Sequence, residues 1–249
     1  MLPKRRCPIS PKKSGGGILM LKPIRITQAD DMFPLALKQF LGEDVPECIF
    51  ALGDLDVLRQ KTLALFCSVK CPGDLILQTY DLARQLRDAG IVVISGFHSP
   101  MEKECLSLLL KGKQPVICCP AKRLTANRLP KECAGPISDG RLLMVSPFGE
   151  RIKRARQGIA RLRNEFVAAL ADQVFVAYAA PGGKTEAFCQ KVLGWVKPLL
   201  TFKSPAIPLS LLPVHSLTLA LKPSTERINF RAYAPVAGPF NGRHLFVYF

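Results

Sequence analysis

The chain has 249 residues, 48% of them hydrophobic, and carries 35 Lys and Arg against 19 Asp and Glu, a net charge of +16. That length and apolar content support one sizeable core and exclude a disordered polyelectrolyte, while the charge calls for an anionic partner, nucleic acid or an acidic membrane surface. The nine cysteines are odd in number, lie partly inside apolar runs and include no Cys-x-x-Cys pair, so they read as reduced, buried thiols of a cytoplasmic protein with no metal site.

Residues 1–28 combine Lys, Arg, Pro and a Gly run and are expected to form a basic flexible tail; the apolar run at 18–21 is too short for a signal-peptide core. Residues 29–60, punctuated by Phe33-Pro34, Pro46 and Gly53-Asp54, read as a short helical lead-in. From Thr62 onward, apolar runs of strand length alternate with amphipathic stretches, the pattern of a parallel sheet covered by helices. TLALFCS (62–68) is the first strand. Ile76, Tyr80, Ala83 and Leu86 then recur at helical spacing up to Gly90, and IVVIS (91–95) is the second strand.

A helix is expected after Ser99, which can cap it, with Pro100 in the first position, Glu102 completing a capping box and Gly112 ending it. Strands at 115–119 and 141–146 follow, joined by a polar, Pro-bearing connection. A helix at 154–170, a strand at 173–179, a helix at 185–196 and a short strand at 199–202 complete the series. The expected fold is α/β: a Rossmann-like, doubly wound and mainly parallel sheet of about six strands with helices on both faces, spanning 61–206. Residues 207–249 lack periodicity and read as an irregular C-terminal tail. The apolar stretch 199–221 contains Lys203, Pro205, Pro208 and Pro213, so no membrane span is expected.

In such sheets ligands collect at the carboxyl ends of the strands, where loops enter helix N-termini. Three loops there carry small residues, hydroxyls or cations suited to phosphate oxygens: Ser68 and Lys70; Ser95, Gly96, His98 and Ser99; and Gly182, Gly183, Lys184 and Thr185. The run containing Arg151, Lys153, Arg154, Arg156, Arg161 and Arg163 places six cations in thirteen positions, enough to neutralise several phosphates. Within it, Arg163 and Asn164 directly precede an apolar stretch, which puts them near the sheet rim. His98 adjoins a helix start and reads as a hydrogen-bonding group rather than a general base. No Ser/His/Asp or Cys/His set and no GxxxxGK[ST] loop occurs, so no catalytic residue and no cofactor is assigned.

From about residue 31 to about 205 the chain resembles the DprA/Smf DNA-processing proteins of the wider LOG superfamily. The markers are Phe33-Pro34, Gly53-Asp54-Leu55, Ser95-Gly96, Pro147-Phe148, and above all RNEFVAALAD (163–172) running into VFVAYAAPGGKT. The resemblance implies a Rossmann-like domain that holds single-stranded DNA in a basic pocket, forms a homodimer and helps load a RecA-type recombinase during DNA uptake or recombination. Carried over by position, it assigns phosphate binding to Ser68, Ser95, Gly96, Arg163, Asn164, Gly183 and Thr185. The family's Gly-Ser-Arg stands here as Cys67-Ser68-Val69, leaving Lys70 as the neighbouring cation.

The leading expectation is therefore a single-stranded DNA-binding protein, with Phe97, Phe148 and Tyr178 as candidate stacking rings. The alternative is a LOG-like nucleoside-monophosphate phosphoribohydrolase, or a nucleotide sensor on the same rim. Pro181-Gly182-Gly183 resembles the hydrolase loop, with Glu186 or Glu102 as its candidate carboxylate.

Overall fold

The computed structural model describes residues 22–125, 131–149, 157–202, 214–219 and 228–233. The chain opens with β1 (Ile24–Thr27), α1 (Leu35–Leu41) and β2 (Cys48–Leu52), continues through β3 (Thr62–Phe66), α2 (Gly73–Asp88), β4 (Val92–Ser95) and α3 (Pro100–Leu109), and then β5 (Val116–Cys118), α4 (Lys131–Ser138) and β6 (Leu142–Ser146). It closes with α5 (Gln157–Leu170), β7 (Gln173–Val176), α6 (Lys184–Gly194), β8 (Leu199–Phe202), β9 (Val214–Leu219) and β10 (Ile228–Tyr233).

All the strands join one sheet in the order β1-β2-β6-β5-β4-β3-β7-β8-β10-β9. The run from β6 to β8 is parallel throughout, and it is the expected six-stranded core. Its strands are predominantly apolar and buried almost throughout, Gln173 excepted, as a sheet covered by helices requires.

Three features differ from the sequence expectation. The lead-in read as helical, and the end of the segment read as a basic tail, supply β1 and β2, which extend the sheet antiparallel from β6. The tail read as irregular supplies β9 and β10, which extend it antiparallel from β8. The connection between β5 and β6 contains α4, whose Gly135 and internal Pro136 argue against a helix, while buried Cys133 and Ile137, four apart on one face, pack it against β6.

Right-handed crossovers fix which face each helix covers. From β3 to β6 the sheet grows in one direction, which puts α2, α3 and α4 on one face; β7 and β8 grow in the other, which puts α5 and α6 on the opposite face, with α1 packed on α5. In α2 the buried stripe is Leu75, Thr79, Leu82, Ala83 and Leu86. The expected cap of α3 is present: Ser99 Oγ accepts the Glu102 N–H at 3.2 Å and Glu102 Oε2 accepts the Ser99 N–H at 3.1 Å.

The C-terminus of α5 is held by an unusual group. Lys197, buried at 4% exposure, donates from Nζ to the carbonyls of Ala168, Ala169 and Ala171 and lies 3.9 Å from the centre of the Phe40 ring. A cation at that end complements the helix dipole. Burial nevertheless holds the ammonium down to about 8. Among the described residues no helix is long and apolar enough to cross a membrane.

Candidate nucleic-acid interface

The order of the sheet reverses between β3 and β7, and at the carboxyl ends of the strands a crevice lies among the loops after β3 and β4 and the first halves of α5 and α6. A cavity of about 740 Å³ lies there, with Phe66 and Phe188 in edge-to-face contact at 4.7 Å, the start of α6 on one side and the first half of α5 on the other. His98, Ser99, Arg163, Asn164, Lys184 and Thr185, all expected at the rim, line it. Lys70 is exposed beside Val69, which reaches the lining. Arg156 lies outside the described residues.

Several of the expected donors are already committed within the protein. Ser68 ties two loops together: its N–H donates to the Tyr178 carbonyl at 2.9 Å and its Oγ accepts the Ala180 N–H at 3.0 Å. Ser95 is fully buried, its hydroxyl donating to the Leu65 carbonyl at 2.7 Å, which withdraws it from any ligand. The Gly183 N–H closes a turn onto the Ala180 carbonyl at 2.9 Å, and Gly182, with φ at +65°, donates to Glu186 Oε2 at 2.7 Å. The N–H groups of His98 and Ser99 both donate to Glu102 Oε2, at 2.8 and 3.1 Å. Two carboxylates of the chain thus occupy the anion positions that the start of α3 and the loop before α6 would otherwise offer. What remains open to a ligand is mainly side-chain chemistry: the exposed imidazole of His98 and the cations.

Arg163 is central. Its side chain is 5% exposed, with Nε donating to Asn164 Oδ1 at 2.8 Å and Nη1 to the Cys119 carbonyl at 3.2 Å. Among the described residues it forms no ion pair, and Nη2 has no hydrogen-bond partner. A buried guanidinium with only neutral acceptors lacks the counter-charge that such groups normally require. By contrast Glu165, 4% exposed and missed in the sequence reading, is paired with Lys191 at 2.8 Å and Arg161 at 3.9 Å on the same wall. Its position two residues after Arg163 carries no sequence signal, because Lys191 comes from a different helix.

Arg163 and His98 also border a second cavity of about 860 Å³, between α3, the loop after β5 and α4. Its cations, Lys103, Lys111, Lys122 and Arg123, were not singled out from sequence, since they are scattered over three segments. Lys103 stands on α3, Lys111 just past its end, and Lys122 and Arg123 in the loop after β5, which brings them around one opening.

Among the described residues that line the two cavities, no thiol is held in its reactive, deprotonated form. Cys67 lines the first cavity, but the hydrogen-bonded Cys71 thiol and burial hold its thiol far above the usual range. Burial pushes the Cys105, Cys118 and Cys189 thiols up to about 12. Among the described residues no group of three or more His, Cys, Asp or Glu stands together to hold a metal ion.

In fold the chain is similar to DNA processing protein A (DprA) from Streptococcus pneumoniae, with a TM-score of 0.63 and 18% identity over 76% of this chain and 66% of that one. It is also similar to DNA processing protein A from Helicobacter pylori, a structure described for its unique single-stranded DNA binding mode, with a TM-score of 0.58 and 19% identity over 72% of this chain and 81% of that one. The chain thus spans just under two thirds of the pneumococcal protein. No curated protein sequence matches it. Residues 25–185 match the family model of DNA recombination-mediator protein A, and with well over half of the chain inside that match, this protein belongs to the DNA recombination-mediator protein A family.

Proposed function

We propose that the protein binds single-stranded DNA through its sugar-phosphate backbone, at the crevice where the sheet order reverses. The observation that carries this reading is Arg163, a buried guanidinium on the cavity wall with a free Nη2 and no carboxylate partner among the described residues. A phosphate oxygen would supply the missing counter-charge, and exposed Lys70 and Lys184 would hold neighbouring phosphates. Family membership supports a cytoplasmic role in DNA processing, uptake or recombination, with a homodimer and hand-off to a RecA-type recombinase as parts of the same reading. The hydrolase alternative is disfavoured because its two candidate carboxylates, Glu102 and Glu186, accept backbone N–H groups that shape the loops.

The test is fluorescence anisotropy of a labelled single-stranded oligonucleotide across a salt series, with duplex and mononucleotide as competitors. Wild type should bind with a log–log salt slope of about −0.7 per phosphate neutralised. Arg163→Ala should weaken binding, and the surface double variant Lys70→Glu/Lys184→Glu, which leaves the core intact, should weaken it at least about tenfold. Absence of oligonucleotide binding at low salt, with retention of a mononucleotide, would overturn the proposal.

A further inference from the structure

The second cavity has features that the phosphate-binding reading of the first does not use. Lys103, Lys111 and Lys122 are exposed around its opening, and none of them takes part in an ion pair among the described residues. Among the described residues that line it, Glu132 is the lone acid. Behind these cations the floor is apolar, with Leu106, Leu110 and Leu124 partly open to the cavity. An apolar floor under an unneutralised cationic rim is complementary to a ligand that is itself apolar on one side and anionic on the other. A nucleotide within a strand, with its base face and its phosphates, has that character.

The wall between the two cavities is formed by the same residues on both sides. His98 and Arg163 line each of them, and the unpartnered Nη2 belongs to that shared Arg163. The loop that makes the wall is strained: Phe97 is held at φ +45°, a left-handed conformation rare for a bulky residue, and its ring is buried on the side of the second cavity. That conformation leaves the neighbouring imidazole of His98 exposed between the two openings.

From this arrangement we infer that the second cavity is a further station on the path of the same DNA strand. The inference rests on the single-stranded DNA reading of the first cavity. One phosphate sits at the Arg163–His98 wall, the strand crosses it, and the next bases leave the stack to lie on the Leu106–Leu110–Leu124 floor with their phosphates held by Lys103, Lys111 and Lys122. The site is then longer than one crevice. Oligonucleotides that fill only the first cavity forgo part of the affinity.

Binding of oligothymidylates of about four and about twelve residues separates the possibilities, measured by anisotropy over a salt series for wild type, for Lys103→Glu/Lys111→Glu/Lys122→Glu, and for Lys70→Glu/Lys184→Glu. The triple variant should bind the long strand at least about tenfold more weakly, lower its salt slope by about 2, and leave the short strand nearly unchanged. The double variant should weaken both. Equal affinity of triple variant and wild type for the long strand, with the double variant still impaired, would overturn the second station while leaving DNA binding at the first intact. Equal losses for both lengths would overturn it as well, since the lysines would then act only through a long-range field. If wild type binds neither strand at low salt, the parent reading fails and this inference falls with it.

Discussion

The guanidinium of Arg163 fills the space that a side chain at position 96 would need: an ideal Cβ built on Gly96 falls 1.3 Å from Arg163 Nη1. The glycine after β4 thus leaves room for the guanidinium of a residue of α5, across the top of the sheet. Gly96→Ala should displace the guanidinium, destabilise the protein by about 1–3 kcal/mol and weaken DNA binding. In Gly96→Ala/Arg163→Ala the clash is gone, so the two substitutions should be strongly non-additive in stability while binding stays weak. Denaturant unfolding beside anisotropy checks both, and additive stability losses would show that the two residues do not share that space.

A second prediction concerns Glu102, whose carboxylate takes the N–H groups of His98 and Ser99. Glu102→Ala should lower stability by about 1 kcal/mol through loss of the capping box. The same change removes a negative charge from the wall of the first cavity and frees two N–H donors, so affinity for DNA should rise. A fall in affinity would mean that the carboxylate is needed to hold the His98 loop in its binding shape.

Val196 is a β-branched residue at φ +60° just past the end of α6, 63% exposed. Glycine is the residue usually found in that conformation after a helix. Val196→Gly should raise thermal stability, by about 1 kcal/mol, without changing DNA binding. No gain in the melting temperature would indicate that the valine side chain contributes packing that offsets its backbone strain.

Lys197 gives a pH dependence with a definite sign. Its value in the fold is about 8 against an ordinary 10.5, so below about 8 both folded and unfolded chains are protonated and the fold bears the full penalty of the buried ammonium. Between those values the unfolded chain holds the proton and the folded one has released it, so stability rises with pH. Relative to Lys197→Met, which shares every other titrating group, wild type should gain up to about 3 kcal/mol across that window. Paired denaturation curves on either side of it provide the measurement; a constant difference would show that the three carbonyls keep the ammonium charged.

The sequence is most legible where one kind of local information suffices. The six parallel strands are short, predominantly apolar runs, and Ser99, Pro100 and Glu102 announce their helix by cap chemistry alone. The added antiparallel strands are harder because β1 and β2 lie in stretches punctuated by Pro, Gly and charge, and β9 and β10 in a Pro-rich one, outside the alternation of apolar runs with amphipathic helices. Side-chain direction is not legible at all: Ser95 reads as a phosphate donor until Leu65, thirty residues earlier, takes its hydroxyl. Arg163 could be placed at the rim from its apolar successor stretch, but its contact with Gly96 and its missing counter-charge are products of the crossover of α5. Lys103, Lys111 and Lys122 meet only because α3 and the loop after β5 end at the same opening.

Thr62 and Asp172, which open the two strands flanking the crevice and are joined by a 2.7 Å hydrogen bond, lie 110 residues apart in the chain. Bringing such distant segments together is slow, because a long loop must close before any contact rewards it. The neighbours β3 to β6 are linked by consecutive crossovers and can assemble first, whereas the first cavity exists only once β7 has docked against β3. Recovery of DNA binding during refolding should therefore trail the recovery of helical signal, making ligand capture a clock for the last long-range step of folding.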